Sequence, residues 1–121
     1  MDKEAQSTLA RSVGRAIAHR RIRAGLTQEQ VAERLGLALS SVARMEQGVS
    51  IPTVIRLVEL AQLFDCGVDE LIVEASTRAD DQAKAIAAVI NELAESDRRV
   101  LVDMLMTLAD HLKSRPENGP A

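Results

Sequence analysis

Residues able to do covalent or acid–base chemistry are few and scattered in this 121-residue chain. The two histidines, His19 and His111, lie far apart, and the single Cys66 excludes both an internal disulfide and a zinc finger. No Ser/His/Asp or Cys/His grouping and no glycine-rich phosphate loop is written here. An enzyme is therefore not expected, and neither is a metal or a cofactor. Cations are the more telling feature. Arg15, His19, Arg20, Arg21 and Arg23 crowd one segment, and Arg34 and Arg44 follow. The net charge of −3 is unevenly divided: residues 1–51 hold eight Lys or Arg against five Asp or Glu, net +3. Residues 52–121 hold seven against thirteen, net −6. The basic part suits a polyanion, and the acidic part should face away from it. Aromatic content of 1%, from Phe64 alone, argues against RNA and single-strand binders that stack bases on rings.

These side chains must be positioned by helices. Gly and Pro are sparse and β-branched alternation is absent, so the chain should be all-α. Its organising stretch is 26–48, LTQEQVAERLGLALSSVARMEQG, which reads as two short helices around a tight turn. Thr27 with Gln30 three residues later has the form of a capping box and predicts a helix starting at Gln28. Val31 and Leu35 share a face, with the small Ala32 between them. Gly36 should end this helix in a left-handed conformation. Leu37, Val42 and Met45 resume the apolar pattern, with Leu39 or Ser40 opening the next helix and Gly48 closing it.

This pattern resembles the helix-turn-helix of the phage-repressor class of regulators, the XRE or Cro/C1-repressor family. The matching residues are GLTQ at 25–28, Ala32, Gly36, Val42, Glu46 and Gly48, then Pro52 and VDELI at 68–72, over roughly 12–73 without a gap. The resemblance implies a five-helix, lambda-repressor-like DNA-binding domain over residues 7–75 and a transcriptional regulator acting on double-stranded DNA. It implies that the base-facing positions of the recognition helix, about 39–47, fall on Leu39, Ser40 and Arg44, with Ala43 adjacent. Arginine can give two hydrogen bonds to guanine, Ser40 can bond a base edge or a phosphate, and Leu39 or Ala43 can meet a thymine methyl. For Arg44 a phosphate contact is the plainer alternative. So sparse a polar set suggests that DNA shape supplies part of the specificity.

The resemblance also pairs Arg21 with Glu46, where a guanidinium can grip a carboxylate twice and lock the first helix to the third. It sets Gln28 near the DNA backbone, where a helix N-terminus favours an anion; alternatively Gln28 only fills the first turn. Further phosphate candidates are Arg23, Ser41 and Ser50. Ser41 can instead bond its own backbone, and Arg23, like Arg15 and Arg20, can simply be a solvated helix end. The amides of the loop VSIPT at 49–53 are expected to approach phosphate.

Elsewhere, a first helix is predicted over residues 7–24, carrying Leu9, Val13 and Ile17, after a frayed tail at 1–6. Pro52 suits the first turn of a fourth helix whose apolar side includes Ile55, Val58, Leu60, Leu63 and Phe64. Cys66 reads as a buried small hydrophobe rather than a redox sensor. Asp65 and Gly67 depart from the family pattern, which commonly has a turning glycine and a serine-like cap at these places. Asp tolerates left-handed backbone better than most residues.

Past a polar boundary at 76–82, a helical hairpin is predicted over 79–114. One helix runs to about 94. The other starts near 97 behind a Ser96 or Asp97 cap and ends near 114. The apolar residues of the second helix span roughly 240° of its circumference, wider than the ~100° that one core needs. A second subunit should cover the surplus through Leu101, Met104, Leu105, Leu108 and Leu112. The hairpin packing back on its own domain is the alternative.

The expected protein is thus a cytoplasmic homodimer on a palindromic operator, with no secretion signal and no membrane span. The rival reading is an antitoxin-type regulator whose C-terminal region binds a partner protein. Residues after Arg115 should be disordered.

Overall fold

The structure, a computed structural model, describes residues 1–116. The residues that follow Pro116, expected above to be disordered, lie outside the described ones. Seven helices and, among the described residues, no strand make up the chain: α1 (Lys3–Arg23), α2 (Gln28–Leu35), α3 (Leu39–Glu46), α4 (Val54–Phe64), α5 (Val68–Ala75), α6 (Ala79–Asn91) and α7 (Glu95–Ser114). None is long and apolar enough to cross a membrane. The chain divides into two compact units at Ala85–Ile86, inside α6.

In the first unit, each of α1 to α5 supplies one side chain with no exposed surface: Ile17, Val31, Val42, Leu60 and Leu71. Burying an aliphatic side chain of this size contributes roughly 1.5–3 kcal/mol. The five helices are thus pinned at one point. Ala32, Met45, Ala61 and Phe64 complete the buried cluster, with Val13, Leu26, Leu57 and Cys66 among the residues packed round it.

One turn device closes α1, α2, α3 and α4 alike. A residue with positive φ follows or ends each helix: Gly25 (74°), Gly36 (67°), Gly48 (76°) and Asp65 (54°). The next amide then reaches back to a carbonyl five residues earlier. These bonds are Leu26 to Arg21 at 3.1 Å, Leu37 to Ala32 at 2.8 Å, Val49 to Arg44 at 2.9 Å and Cys66 to Ala61 at 3.0 Å. Asp65 is the only non-glycine with positive φ among the described residues. Left-handed backbone strains a Cβ, so Asp65→Gly should stabilise the fold by roughly 0.5–1 kcal/mol, after the added freedom of the unfolded chain is subtracted. Urea unfolding midpoints measured side by side check this.

Several boundaries differ from the sequence expectation. Helix α1 starts at Lys3, not residue 7, because the Asp2 carboxylate accepts the Ala5 amide at 2.7 Å. Leu9 is exposed rather than core-facing. Helix α4 starts at Val54, with Thr53 accepting the Arg56 amide at 3.1 Å, so Pro52 precedes the helix instead of sitting in its first turn. Ile55 is 74% exposed and Val58 38%, because they stand on the side of α4 turned away from Leu57, Leu60, Ala61 and Phe64, which meet the core. Gly67 does cap α5, its amide held by the Glu70 carboxylate at 3.1 Å.

The second unit comprises α6 from Ile86 and α7. Helix α6 ends at Asn91, earlier than expected. Helix α7 starts at Glu95 behind Ala94, which offers no side-chain cap, so Ser96 and Asp97 lie inside its first turn. No residue of either helix is buried. Ile90, Leu93 and Leu101 are half-buried, whereas Val100, Val102, Met104, Leu105, Met106, Leu108 and Leu112 are 41–66% exposed.

Candidate nucleic-acid interface

The second and third helices are set by local signals. The Thr27 hydroxyl accepts the Gln30 amide at 3.1 Å and the Gln30 side chain accepts the Thr27 amide at 2.9 Å. This reciprocal cap fixes the start of α2 and spends only those two amides. The amides of Gln28 and Glu29 have no intrahelical acceptor, as in any first helical turn, so this end presents donors to an anion.

Helix α3 is amphipathic. At about 100° per residue, buried Val42 and Met45 fall on one side, and Ser40, Arg44 and Gln47 fall opposite them within an arc of about 60°. Those three are exposed, Leu39 is 49% exposed, and Ala43 and Ser41 are half-buried at the flanks. Gln47 is the residue that the sequence reading passed over. Its signal was the 40/44/47 spacing, which continues the outward row one step beyond Glu46. The Arg44 side chain has no ion pair or hydrogen bond among the described residues.

A clamp holds this row in place. Arg21 Nε donates to Glu46 Oε2 at 2.7 Å, and Arg21 Nη2 donates to Oε1 at 3.1 Å. The third guanidinium nitrogen donates to the Leu26 carbonyl at 2.9 Å, and Gln28 Nε2 donates to Glu46 Oε1 at 2.9 Å. Four bonds therefore tie α1, the turn after it, the start of α2 and the end of α3. The Arg21 and Glu46 side chains are 15% and 6% exposed, which keeps water from competing. Gln28 uses one amide hydrogen on Glu46 and keeps the other.

Backbone proximity does the rest. A methyl on Gly14 would lie 2.6 Å from the Met45 carbonyl oxygen and overlap that of Glu46, so only glycine lets α1 approach α3 this closely. Gly48, besides its positive φ, has no room for a Cβ against the Arg11 backbone at 2.7 Å.

The helix-turn-helix family profile matches residues 17–71, from mid-α1 to α5. These residues are a helix-turn-helix domain of the Cro/C1-repressor class. The chain is accordingly a DNA-binding transcriptional regulator, and the family is one of regulators rather than an enzyme class. Two relatives carry the name cryptic phage CTXphi transcriptional repressor RstR. One, from Vibrio cholerae, is 26% identical over 95 residues, covering 78% of this chain and 86% of its own. The other, from Vibrio cholerae serotype O1 strain El Tor Inaba N16961, is 26% identical over 92 residues, covering 76% and 82%. No solved structure matches significantly.

Within the helix-turn-helix domain, the basic end of α1 splits in two directions. Arg20 turns to α5, where its Nε lies 3.3 Å from Glu74 and its Nη1 lies 3.7 Å from Glu70. His19 Nδ1 is 2.7 Å from Glu74. Arg20 is thereby withdrawn from the phosphate role considered for it; Arg15 and Arg23 are exposed, and neither is without a partner in the chain. The loop also differs from expectation. The amides of Val49 and Ser50 turn inward to the Arg44 carbonyl, at 2.9 and 3.3 Å, and leave Ser50 its hydroxyl as donor. Cys66 is half-buried. Burial pushes its thiol up, Arg20 pulls the other way, and Glu70, Glu74 and Asp69 add to the rise. A protonated thiol at the edge of the core acts as a small apolar group.

Proposed function

We propose that this chain is a homodimeric transcriptional repressor that binds a palindromic operator with α3 in the major groove. The observation that carries the reading is the outward row Ser40, Arg44 and Gln47, standing opposite a buried seam on a helix whose end is clamped by Arg21 and Glu46. In this reading Arg44 contacts a guanine edge and Gln47 an adenine edge or a neighbouring phosphate, and Ser40 bonds a base or the backbone. Leu39 and Ala43 supply apolar contact to thymine methyls. The N-terminus of α2 with Gln28, the Ser41 and Ser50 hydroxyls and Arg23 meet phosphates on the two sides of the groove. Repression, the activity in the relatives' names, is assigned here by similarity.

One such head spans few base pairs, and tight binding in this class of reader comes from two heads on half-sites about one helical turn apart. The apolar surfaces of α6 and α7 supply the pairing. The two-fold dimer is the commonest oligomer and matches a palindrome.

Selection of bound fragments from genomic DNA at near-physiological salt, run beside an Arg44→Ala variant, tests the reading. A palindromic site should emerge. The variant should bind it with a loss of about 1–3 kcal/mol and relaxed preference at one base pair of each half-site. Equal enrichment of unrelated fragments by the parent protein would overturn the proposal.

A further inference from the structure

One row of residues on α7 is symmetric end to end. Asp97, Leu101, Met104, Leu108, His111 and Arg115 follow one another at alternating steps of four and three residues, the rhythm of a coiled-coil seam. They fall within an arc of about 80°. Met104 is 66% exposed and Leu108 58%; Asp97, His111 and Arg115 are exposed as well, and Leu101 is half-buried. The side chains of Asp97, in the first turn, and Arg115, at the C-cap, have no ion pair or hydrogen bond among the described residues. With Met106 as midpoint the row maps onto itself. Met104 and Leu108 stand two residues to either side, Leu101 and His111 five, and Asp97 and Arg115 nine.

We propose that α7 pairs with α7 of a second copy in antiparallel orientation, its two-fold axis beside Met106, with Asp97 of each copy facing Arg115 of the other. The inference rests on the dimeric reading above and adds its orientation. Charge decides between the two orientations. A parallel pair in register sets Asp97 against Asp97 and Arg115 against Arg115, so like charges meet at both ends. The antiparallel pair turns both repulsions into attractions, and symmetry gives two such ion pairs per dimer. Packing agrees. A heptad seam alternates two kinds of position, and an antiparallel pair joins one kind to the other in every layer. Asp97, Met104 and His111 are of one kind, Leu101, Leu108 and Arg115 of the other, so all three mirror pairs fit. Met104 and Leu108 then form the dry centre, and the charges stay at the ends, where partial hydration keeps their desolvation cost low. Only a second copy makes use of this mirror order, since an unrelated partner could match the seam whatever its symmetry. The pairing holds the two copies of Asp97 about 27 Å apart, the scale of the ~34 Å between half-sites.

A charge swap in the full-length protein tests this, read by sedimentation equilibrium at low and high salt. Asp97→Arg and Arg115→Asp, each alone, place like charges in both end pairs. Each should weaken dimerisation by about tenfold at low salt, and by less at high salt. The double variant Asp97→Arg, Arg115→Asp restores opposite charges across the axis, so its dimerisation should return to within about twofold of the parent. Both substitutions oppose the dipole of α7. Any cost in helix stability is therefore greatest in the double variant, and a rescue there can come only from pairing between copies. A double variant as weak as the single ones would overturn the inference, as would an Asp97→Arg variant that dimerises as well as the parent does. Either result would leave the dimeric reading standing. A parent protein that sediments as a monomer would remove that reading and this inference together.

Discussion

Glu46→Ala should destabilise the helix-turn-helix domain by about 3–5 kcal/mol, the range for removing one partner of a largely buried ion pair. The loss exceeds that of an ordinary hydrogen bond because of what remains. Arg21, with a side chain only 15% exposed, would keep the Leu26 carbonyl as its acceptor but lose both carboxylate bonds. Gln28 would lose its acceptor as well. For a domain of this size each kcal/mol lowers the melting temperature by roughly 4–8 °C, so a fall of at least about 12 °C is expected by calorimetry. The paired replacement Arg21→Met with Glu46→Leu separates stability from positioning. Apolar groups of similar volume can restore most or all of the loss, but they cannot reproduce a bidentate grip that fixes the end of α3. The double variant should therefore melt near the parent protein and still read its operator less sharply. A Glu46→Ala melting temperature within a degree or two of the parent would mean that the pair is solvated in solution, and the clamp argument would fail.

The parts of this fold that could be read from sequence are those governed by short-range chemistry. Thr27 with Gln30 and the positive-φ Gly36 bracket α2 at Gln28–Leu35 because cap and turn each involve neighbours within five residues. The buried faces of α2 and α3 follow from Val31, Val42 and Met45 at helical spacing. What escaped depends on how the elements dock. Ile55 reads as core by its type, but it stands opposite the face of α4 that Leu57, Leu60, Ala61 and Phe64 turn to the core. Arg20 is chemically equivalent to its neighbour Arg21, whose pairing with Glu46 the resemblance supplied, and only the docking of α5 sends Arg20 to Glu74 instead. The start of α1 was missed for a different reason: its first turns are polar and show no apolar rhythm, so Asp2 as a cap had nothing to announce. Gln47 falls inside the recognition helix of about 39–47 read from sequence, but the base-facing positions that the resemblance implies stop at Arg44. Conversely, Asp65 illustrates a departure that the fold absorbs, since the backbone keeps the left-handed turn and an aspartate occupies it.

On the proposed pairing through α7, Leu108→Asp should convert the dimer to monomers and lower affinity for a palindromic operator by about a hundredfold or more. Leu108 is 58% exposed in the single chain, and no residue of α7 is buried there. An aspartate at that position would cost an isolated chain little. In a subunit interface the same carboxylate would be desolvated without a partner, at a cost of several kcal/mol, enough to dissociate a helical pairing of this size. Joining two heads multiplies affinity by 10²–10⁴ without adding any DNA contact, and severing them forfeits that factor. Leu101 would be a poorer target, because it is half-buried in the single chain and its loss would mix folding with assembly. The variant should retain its α1–α5 helicity and bind a duplex carrying a single half-site as the parent does, with monomer and dimer distinguished by sedimentation equilibrium. If the parent protein itself sediments as a monomer, the exposed face of α7 belongs to a different protein, and the antitoxin-type reading takes over.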